Sequence, residues 1–195
     1  MRRTLVATTA VLMLTIAAPA IAEEAAQPNA ERVAAARAAI KGLGGGLKEK
    51  LVAAMQSGGP ISALDVCKLE APKVTDTQSK SSGMTVGRTA LKFRNPGNAP
   101  DDFEKRVMEK FVADIKGGAD AMKLEHAEVV EKDGKKVFRY MKPIMTAGTP
   151  CLACHGGELK PEVSAKIKEL YPEDHATGFA AGDMRGAFTV KQMIE

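Results

Sequence analysis

The spacing of apolar and polar residues divides the chain into a helical N-terminal part and a later part of mixed strands and helices. Residues 29–57 have apolar side chains at near-helical intervals, but Gly42 and the run Gly44-Gly45-Gly46 interrupt them. Since each interior glycine costs a helix about 1 kcal/mol relative to alanine, we predict a bend or break there. The run Ser57-Gly58-Gly59-Pro60 predicts the end of this helix and the start of a second one over residues 60–74.

The second predicted helix carries a cysteine among its apolar residues. Leu64, Cys67, Ala71 and Val74 lie three or four positions apart, so they share one side of a helix. We therefore expect the Cys67 thiol to point into the core. A buried free cysteine can be a small hydrophobic side chain or a metal ligand, and the spacing does not separate these two interpretations.

The later part of the chain predicts an antiparallel sheet with helices around it. Residues 75–83 are polar and predict a loop. The remaining predicted elements are a strand over 84–93, a helix over 100–116, an Asp-Gly hairpin of strands 125–131 and 137–144, a helix over 161–170, an irregular loop over 171–182 and a strand over 184–194. Short antiparallel strands with helices before and between them indicate an α+β domain.

The first residues have the pattern of an export signal. Arg2 and Arg3 precede an uncharged apolar run, and Ala20-Ile21-Ala22 has the small-x-small pattern of a cleavage site. The apolar run is shorter than the roughly 20 residues of a spanning helix, so we interpret residues 1–22 as a cleaved signal peptide. Residues 23–195 are then predicted to form a single periplasmic domain without a membrane span.

The charge balance does not indicate a nucleic-acid partner. The chain has 28 Lys and Arg against 24 Asp and Glu, and two of the basic residues lie in the predicted signal peptide. Nucleic-acid-binding domains instead concentrate excess positive charge on one face.

The sequence Cys151-Leu152-Ala153-Cys154-His155 is the attachment pattern of a c-type haem. Two thiols three positions apart can each form a thioether with one vinyl group of a single porphyrin. His155 can then bind the iron through a neutral imidazole nitrogen. The motif predicts one covalent haem c and leaves Cys67 as the third, odd cysteine of the chain.

Two other kinds of site use the same residues. A thiol-redox pair opens a helix after a strand in a βαβ unit, whereas this pair follows Thr149-Pro150 and runs into Gly156-Gly157, as in a loop. A zinc site would combine Cys151, Cys154 and His155 with a fourth ligand, for which Cys67 is available. The export signal favours haem, because haem is attached to c-type cytochromes after export. Cys67, His126, His175 and several methionines are candidates for the second axial ligand.

Five segments carry a wider resemblance, in this order: Asp65-Val66-Cys67, Arg94 to Pro100, Cys151 to Gly156, Tyr171 to Gly178 and Gly182 to Gly186. Through them the mature chain resembles a family of single-haem c-type domains with a PAS-like fold. The resemblance implies a PAS-like antiparallel sheet with N-terminal helices packed around one covalently bound haem. It also implies that His155 is the proximal and Cys67 the distal ligand of the iron.

Ligation by histidine and thiolate would favour ferric iron and therefore a low reduction potential. Loss of Cys67 on reduction would open the sixth position to CO or NO, which suits a redox or gas sensor. Electron transfer is the alternative that the sequence does not separate from sensing, and either function needs a separate redox or signalling partner protein. A haem enzyme acting on sulfur or nitrogen oxides is less favoured, because two protein ligands leave no open position. Candidate cationic partners for the haem propionates are Arg88, Arg94, Arg139, Lys142 and Arg185.

Overall fold

A four-stranded antiparallel sheet lies at the centre of the computed structural model, which describes residues 28–194. The helices are α1 (Ala30–Leu69), α2 (Ala71–Ser82), α3 (Asp102–Lys116), α4 (Leu152–His155) and α5 (Pro161–Leu170); the strands are β1 (Thr85–Thr89), β2 (His126–Lys132), β3 (Lys135–Met145) and β4 (Met184–Ile194). The strand order is β1-β4-β3-β2. The predicted α+β class is confirmed, and the predicted signal peptide lies outside the described residues.

The two faces of the sheet carry different helices. On one face Phe138, Tyr140 and Val190 pack against buried residues of α1, including Leu43. On the other face Met141 and Ala187 pack against the apolar side of α3. Because side chains alternate along a strand, successive residues of β3 face α1 and α3 in turn.

The glycines of α1 do not break the helix, so the predicted bend at Gly42 and Gly44 to Gly46 is wrong. A β-carbon on Gly46 would lie 3.0 Å from Val74 of α2, and one on Gly44 would lie 3.0 Å from the Phe188 ring of β4. Two of these glycines thus allow α2 and the sheet to approach the α1 backbone closely. Burial of apolar side chains against α1 outweighs the intrinsic helix penalty of glycine.

The interruption in α1 occurs where Ser57-Gly58-Gly59-Pro60 predicted one. Gly58 and Gly59 have non-helical backbone angles, and Gly59 has φ +66° and ψ −157°. That combination is essentially restricted to glycine. The segment after this point carries Cys67 and ends at Leu69.

The polar stretch 75–83, predicted as a loop, is helical up to Ser82 in α2. Lys80 pairs with Asp76 at 2.6 Å, one helical turn away. The Ser79 hydroxyl donates to the Thr75 carbonyl at 2.9 Å and accepts from the Val86 N–H at 3.0 Å. These contacts satisfy polar side chains that would otherwise compete with helical hydrogen bonding.

The local signals later in the chain give elements close to those predicted. The 125–144 hairpin turns at Asp133 (φ 53°) and Gly134 (φ 71°), as its Asp-Gly pair predicted. Helix α3 begins with a capping box between Asp101 and Glu104. Strand β1 ends at Thr89 and is shorter than predicted. No helix within residues 28–194 combines the length and apolar character needed to cross a membrane.

Candidate functional site

The Cys-x-x-Cys-His motif forms one helical turn between β3 and α5. The His155 N–H donates to the Cys151 carbonyl at 3.0 Å, and Cys154 lies in the same turn. Residues three and four positions apart are neighbours on a helix surface. The two thiols and the imidazole are therefore presented on the same side of α4, and none of the three cysteines of the chain forms a disulfide.

His155 is held in one tautomer by a backbone carbonyl. Its Nδ1 lies 2.7 Å from the Ala176 carbonyl oxygen. A carbonyl oxygen can only accept, so Nδ1 carries the proton and Nε2 keeps its lone pair. The Arg185 Nε lies 3.2 Å from the same Nδ1, and since both then carry hydrogens, this approach is not a hydrogen bond. The outward nitrogen of His155 is thus the one free to bind a metal.

The imidazole is also kept neutral. Burial, together with the positive charges of Arg185 and Arg94, lowers the pKa of His155 to about 3 against the opposing effects of Ala176 and Asp174. A neutral imidazole is the form that binds a metal ion. His155 therefore remains in its ligand form throughout the physiological pH range.

A second chain segment fixes the end of the motif. The Phe179 N–H donates to the His155 carbonyl at 2.9 Å, and the Gly178 N–H donates to the Gly156 carbonyl at 3.0 Å. Gly156 is buried, and a β-carbon there would lie 2.7 Å from the Leu152 carbonyl oxygen. Only glycine fits at this position without moving the motif.

Cys67 does not lie in the core, so the expectation that its thiol is packed inside the protein is wrong. The residue is exposed on the last turn of α1. Enough protein surrounds the sulfur that desolvation raises the pKa of the Cys67 thiol, while the charges of Arg88 and Arg94 lower it. The thiol is therefore accessible and partly desolvated at the same time.

Cys67 and the motif are brought to the same region. Burial raises the pKa of Cys154, the Arg94 charge lowers it, and the Cys67 charge raises it. Leu64, one turn before Cys67, packs with Val163 and Ile167 of α5, and Cys154 contacts this cluster. Lys166 pairs with Asp65 at 3.2 Å across the same helix contact. Packing between α1 and α5 therefore places Cys67 beside α4.

Two of the four candidate arginines lie near the cysteines with their guanidinium groups available. Burial lowers the pKa of Arg88, and the charges of Cys67 and Tyr171 oppose that effect. Arg88 has no side-chain hydrogen bond to any of the residues that the structure describes. Arg185 donates to the Lys92 carbonyl at 3.0 Å, and burial lowers its pKa to about 10. Both side chains remain candidates for binding an anionic group.

The other two arginines are occupied by protein groups. Arg94 donates to Asp174 at 2.9 Å and to the Cys154 carbonyl at 2.7 Å. Arg139 lies on the α3 face of the sheet, where it pairs with Asp101 at 2.9 Å and Glu104 at 3.2 Å. The sheet separates Arg139 from the Cys67 region, so the structure does not bring it together with the other site residues.

The remaining candidates have other contacts. His126 Nε2 lies 2.9 Å from Glu128, and the exposed His175 packs edge-on against Phe93. Lys142 donates to the Met122 carbonyl at 2.8 Å. Among residues 28–194, no group of three or more His, Cys, Asp and Glu side chains is arranged to hold a metal ion.

Sequence reasoning assigned no role to Asp174, Ala176 and Phe179, which hold the motif in place. Asp174 and Ala176 belong to the Tyr171 to Gly178 segment that carried the family resemblance. The Ala176 carbonyl and the Phe179 N–H contact His155 directly, and the Asp174 carboxylate acts through Arg94. Contacts made by backbone groups leave no trace in the sequence.

These residues suit a c-type haem. The motif presents two free thiols and a neutral imidazole on one side of a helical turn. A further accessible thiol lies beside them, together with Arg88, which has no side-chain hydrogen bond to another residue within 28–194. These are the donors that two thioethers, two axial ligands and a propionate require.

The comparisons with known proteins point the same way. A family model described as Tll0287-like matches residues 12–192. The crystal structure of the cyanobacterial haem protein Tll0287 superposes with a TM-score of 0.61 at 24% sequence identity, over 86% of this chain and 98% of that chain. This likeness establishes the fold. No curated protein matches the chain.

Proposed function

Because the chain belongs to the Tll0287-like family, we propose that it is a c-type haem protein with one haem attached through Cys151 and Cys154. His155 and Cys67 are its axial ligands in this proposal. The orientation of His155 is the observation that carries it, because the Nδ1 contact with Ala176 leaves Nε2 free on the side that also presents both motif thiols. A zinc ligand would need the same orientation, but among residues 28–194 no three His, Cys, Asp or Glu side chains are arranged to hold a metal ion.

When bound, haem supplies a one-electron couple, and the residues of this chain determine how it is held. Desolvation raises the pKa of Cys67, and the positive charges of Arg88 and Arg94 offset only part of that effect. Arg88 and Arg185 are the cations that we assign to the propionates. Electron transfer is the function that this ligand set supports best, because two protein ligands leave no position for a substrate.

Redox or gas sensing is a second candidate, and the Cys67 thiol favours it. Desolvation raises the pKa of this thiol, so the protein stabilises the protonated form, which is a poor metal ligand. Cys67 is therefore the ligand that we expect to be released more easily, and its release would admit CO or NO. In either function we propose a periplasmic location and a separate protein partner, on the grounds of the N-terminal signal pattern.

Expression of the full chain with a c-type haem attachment system tests the proposal. We expect haem to stay with the polypeptide on a denaturing gel, with the mature N-terminus at Glu23 by mass spectrometry. Cys151→Ala and Cys154→Ala should each lose one thioether, which the haemochrome absorption maximum reports. A wild-type chain that exits this host without covalent haem would contradict the proposal.

A redox titration of the loaded protein, with and without CO, separates the two functions. A reversible couple that CO does not alter supports electron transfer. A CO adduct that forms on reduction, together with loss of the thiolate signature, supports sensing.

A further inference from the structure

A buried arginine connects the motif to the segment that orients His155. Arg94 Nε donates to Asp174 Oδ1 at 2.9 Å. Its Nη2 donates to the Cys154 carbonyl at 2.7 Å and to the Ala176 carbonyl at 3.2 Å, with Asp174 Oδ2 at 3.4 Å. The side chains of Arg94 and Asp174 are only 10% and 9% exposed. This ion pair is thus anchored by backbone groups on both sides.

The same groups surround the acceptor that binds His155. The Ala176 carbonyl accepts from His155 Nδ1 at 2.7 Å as well as from Arg94. Asp174 also accepts from the Ala176 N–H at 3.0 Å, so it fixes the peptide unit that precedes this carbonyl. Arg94 and Asp174 together set the position of the one atom that holds the imidazole.

The geometry requires an arginine at this position. The guanidinium donates in two directions at once, to a carboxylate and to two carbonyls that belong to different chain segments. A lysine ammonium is a single point on a flexible stem and does not reproduce this planar arrangement. The hydrogen bonds of Arg94 therefore need the planar shape of its guanidinium group as well as its positive charge.

We propose that the Arg94–Asp174 pair is a positioning device for the axial histidine, which acts through Ala176 to fix the direction and strength of the His155 ligand. This inference rests on the proposed function, since it takes His155 as an iron ligand. It also removes Arg94 from the propionate partners. Groups that hydrogen-bond a metal-binding histidine orient its ring and raise its basicity, and their loss typically changes metal affinity by about 10–100-fold.

Arg94→Lys and Asp174→Asn in the haem-loaded protein test the proposal. We expect both variants to retain covalent haem but to shift the low-spin EPR g values and the reduction midpoint. A tenfold change in the ratio of ferric to ferrous affinity corresponds to about 59 mV for one electron. Asp174→Asn is nearly isosteric, so it provides the measurement if Arg94→Lys does not fold.

Arg139→Lys is the matched control. Arg139 is an equally buried arginine paired with Asp101 and Glu104, but it lies on the opposite face of the sheet. This variant should lose stability without moving the g values or the midpoint. Unchanged spectra and midpoints in both Arg94→Lys and Asp174→Asn would overturn the inference, as would an equal shift in Arg139→Lys. A wild-type chain without haem would instead contradict the proposed function.

Discussion

At the scale of single residues, the two proposed axial ligands differ in how strongly the protein favours their metal-binding forms. Burial lowers the pKa of His155 to about 3, which keeps the imidazole in its ligand form. Desolvation raises the pKa of Cys67, which favours the thiol over the thiolate that binds iron. Metal binding requires a deprotonated ligand, so Cys67 is the weaker of the two.

Cys67→Ala tests the distal ligand directly. We expect the loaded protein to keep its covalent haem and to change from a six-coordinate low-spin spectrum to a five-coordinate or water-bound one. Absorption and EPR spectra measure the change. Ser62→Ala, on the preceding turns of the same helix, is the control and should leave the spectrum as in the wild type. An unchanged spectrum in Cys67→Ala would remove Cys67 from the ligand set.

Asp101 predicts a pH dependence of stability. Burial would raise its pKa, but the Glu104 N–H, Lys191 and Arg139 outweigh that effect and lower the pKa below its ordinary value. A carboxylate with a lowered folded-state pKa contributes stability above its unfolded pKa of about 3.9, and loses it as the pH falls through the folded value. The native charge on Asp101 therefore stabilises the neutral-pH fold.

Asp101→Asn isolates this contribution, because asparagine caps a helix about as well as aspartate. We expect the wild type to be more stable above about pH 5, with the difference shrinking as the pH falls towards 3. Urea unfolding at a series of pH values measures it. Asp102→Asn is the neighbouring control and should leave the pH profile unchanged. A wild type whose advantage persists in acid would contradict the role of the charge.

At the scale of elements, the glycines of α1 separate helix propensity from packing. A β-carbon on Gly45 would meet nothing within 4 Å, whereas one on Gly44 would lie 3.0 Å from Phe188. Both positions are helical, so alanine should gain the same free energy of helix propensity over glycine at each of them. A difference in stability between the two alanine variants therefore measures the contact between α1 and β4.

Gly45→Ala should raise the free energy of unfolding by about 1 kcal/mol. Gly44→Ala should give a smaller gain in the free energy of unfolding, since the Phe188 ring must move to admit the methyl group. Gly59→Ala should lower it by about 1–3 kcal/mol, because alanine does not tolerate the backbone angles at that interruption. Urea denaturation ranks the three variants, and equal gains at Gly44 and Gly45 would contradict the packing argument.

At the scale of the whole molecule, the proposed site depends on one contact between distant helices. Ile167 of α5 is 4% exposed and packs with Leu64 of α1, the helix that carries Cys67. The other proposed ligand, His155, is on α4, just before α5. This α1–α5 contact therefore brings the Cys67 ligand to the motif.

Ile167→Ala should lower the free energy of unfolding by about 2–5 kcal/mol and reduce the low-spin fraction of the loaded protein. Lys168→Ala, next to it on the exposed side of α5, should change neither. Thermal unfolding and the absorption spectrum give the two readouts. A destabilised Ile167→Ala variant with an unaltered spectrum would show that the contact supports the fold alone.

Much of the fold could be predicted from the sequence because its signals are local. Helix α5 and strand β4 have their predicted bounds, and the Asp-Gly turn and the capping box begin and end elements within a few residues. The α+β class follows from these elements. The haem-protein family is likewise confirmed, and the ligand roles of His155 and Cys67 stay predictions.

The errors arose where distant contacts outweigh local preference. Gly44 and Gly46 remain helical because Phe188 and Val74 pack against them. Ser79 of α2 has a partner in strand β1, because its hydroxyl accepts from the Val86 N–H. In each case the energy comes from another element, which a local pattern does not contain.

The sequence by itself contains the proposed cofactor chemistry, since covalent attachment and proximal ligation would need only five consecutive residues, Cys151 to His155. The tertiary structure decided which contacts each of the four candidate arginines makes. It places Arg139 on the far face of the sheet, gives Arg88 no side-chain acceptor among the described residues and pairs Arg94 with Asp174, 80 positions away. An arginine has the same charge and shape in every sequence position, and only the folded chain determines which carboxylates and carbonyls it meets.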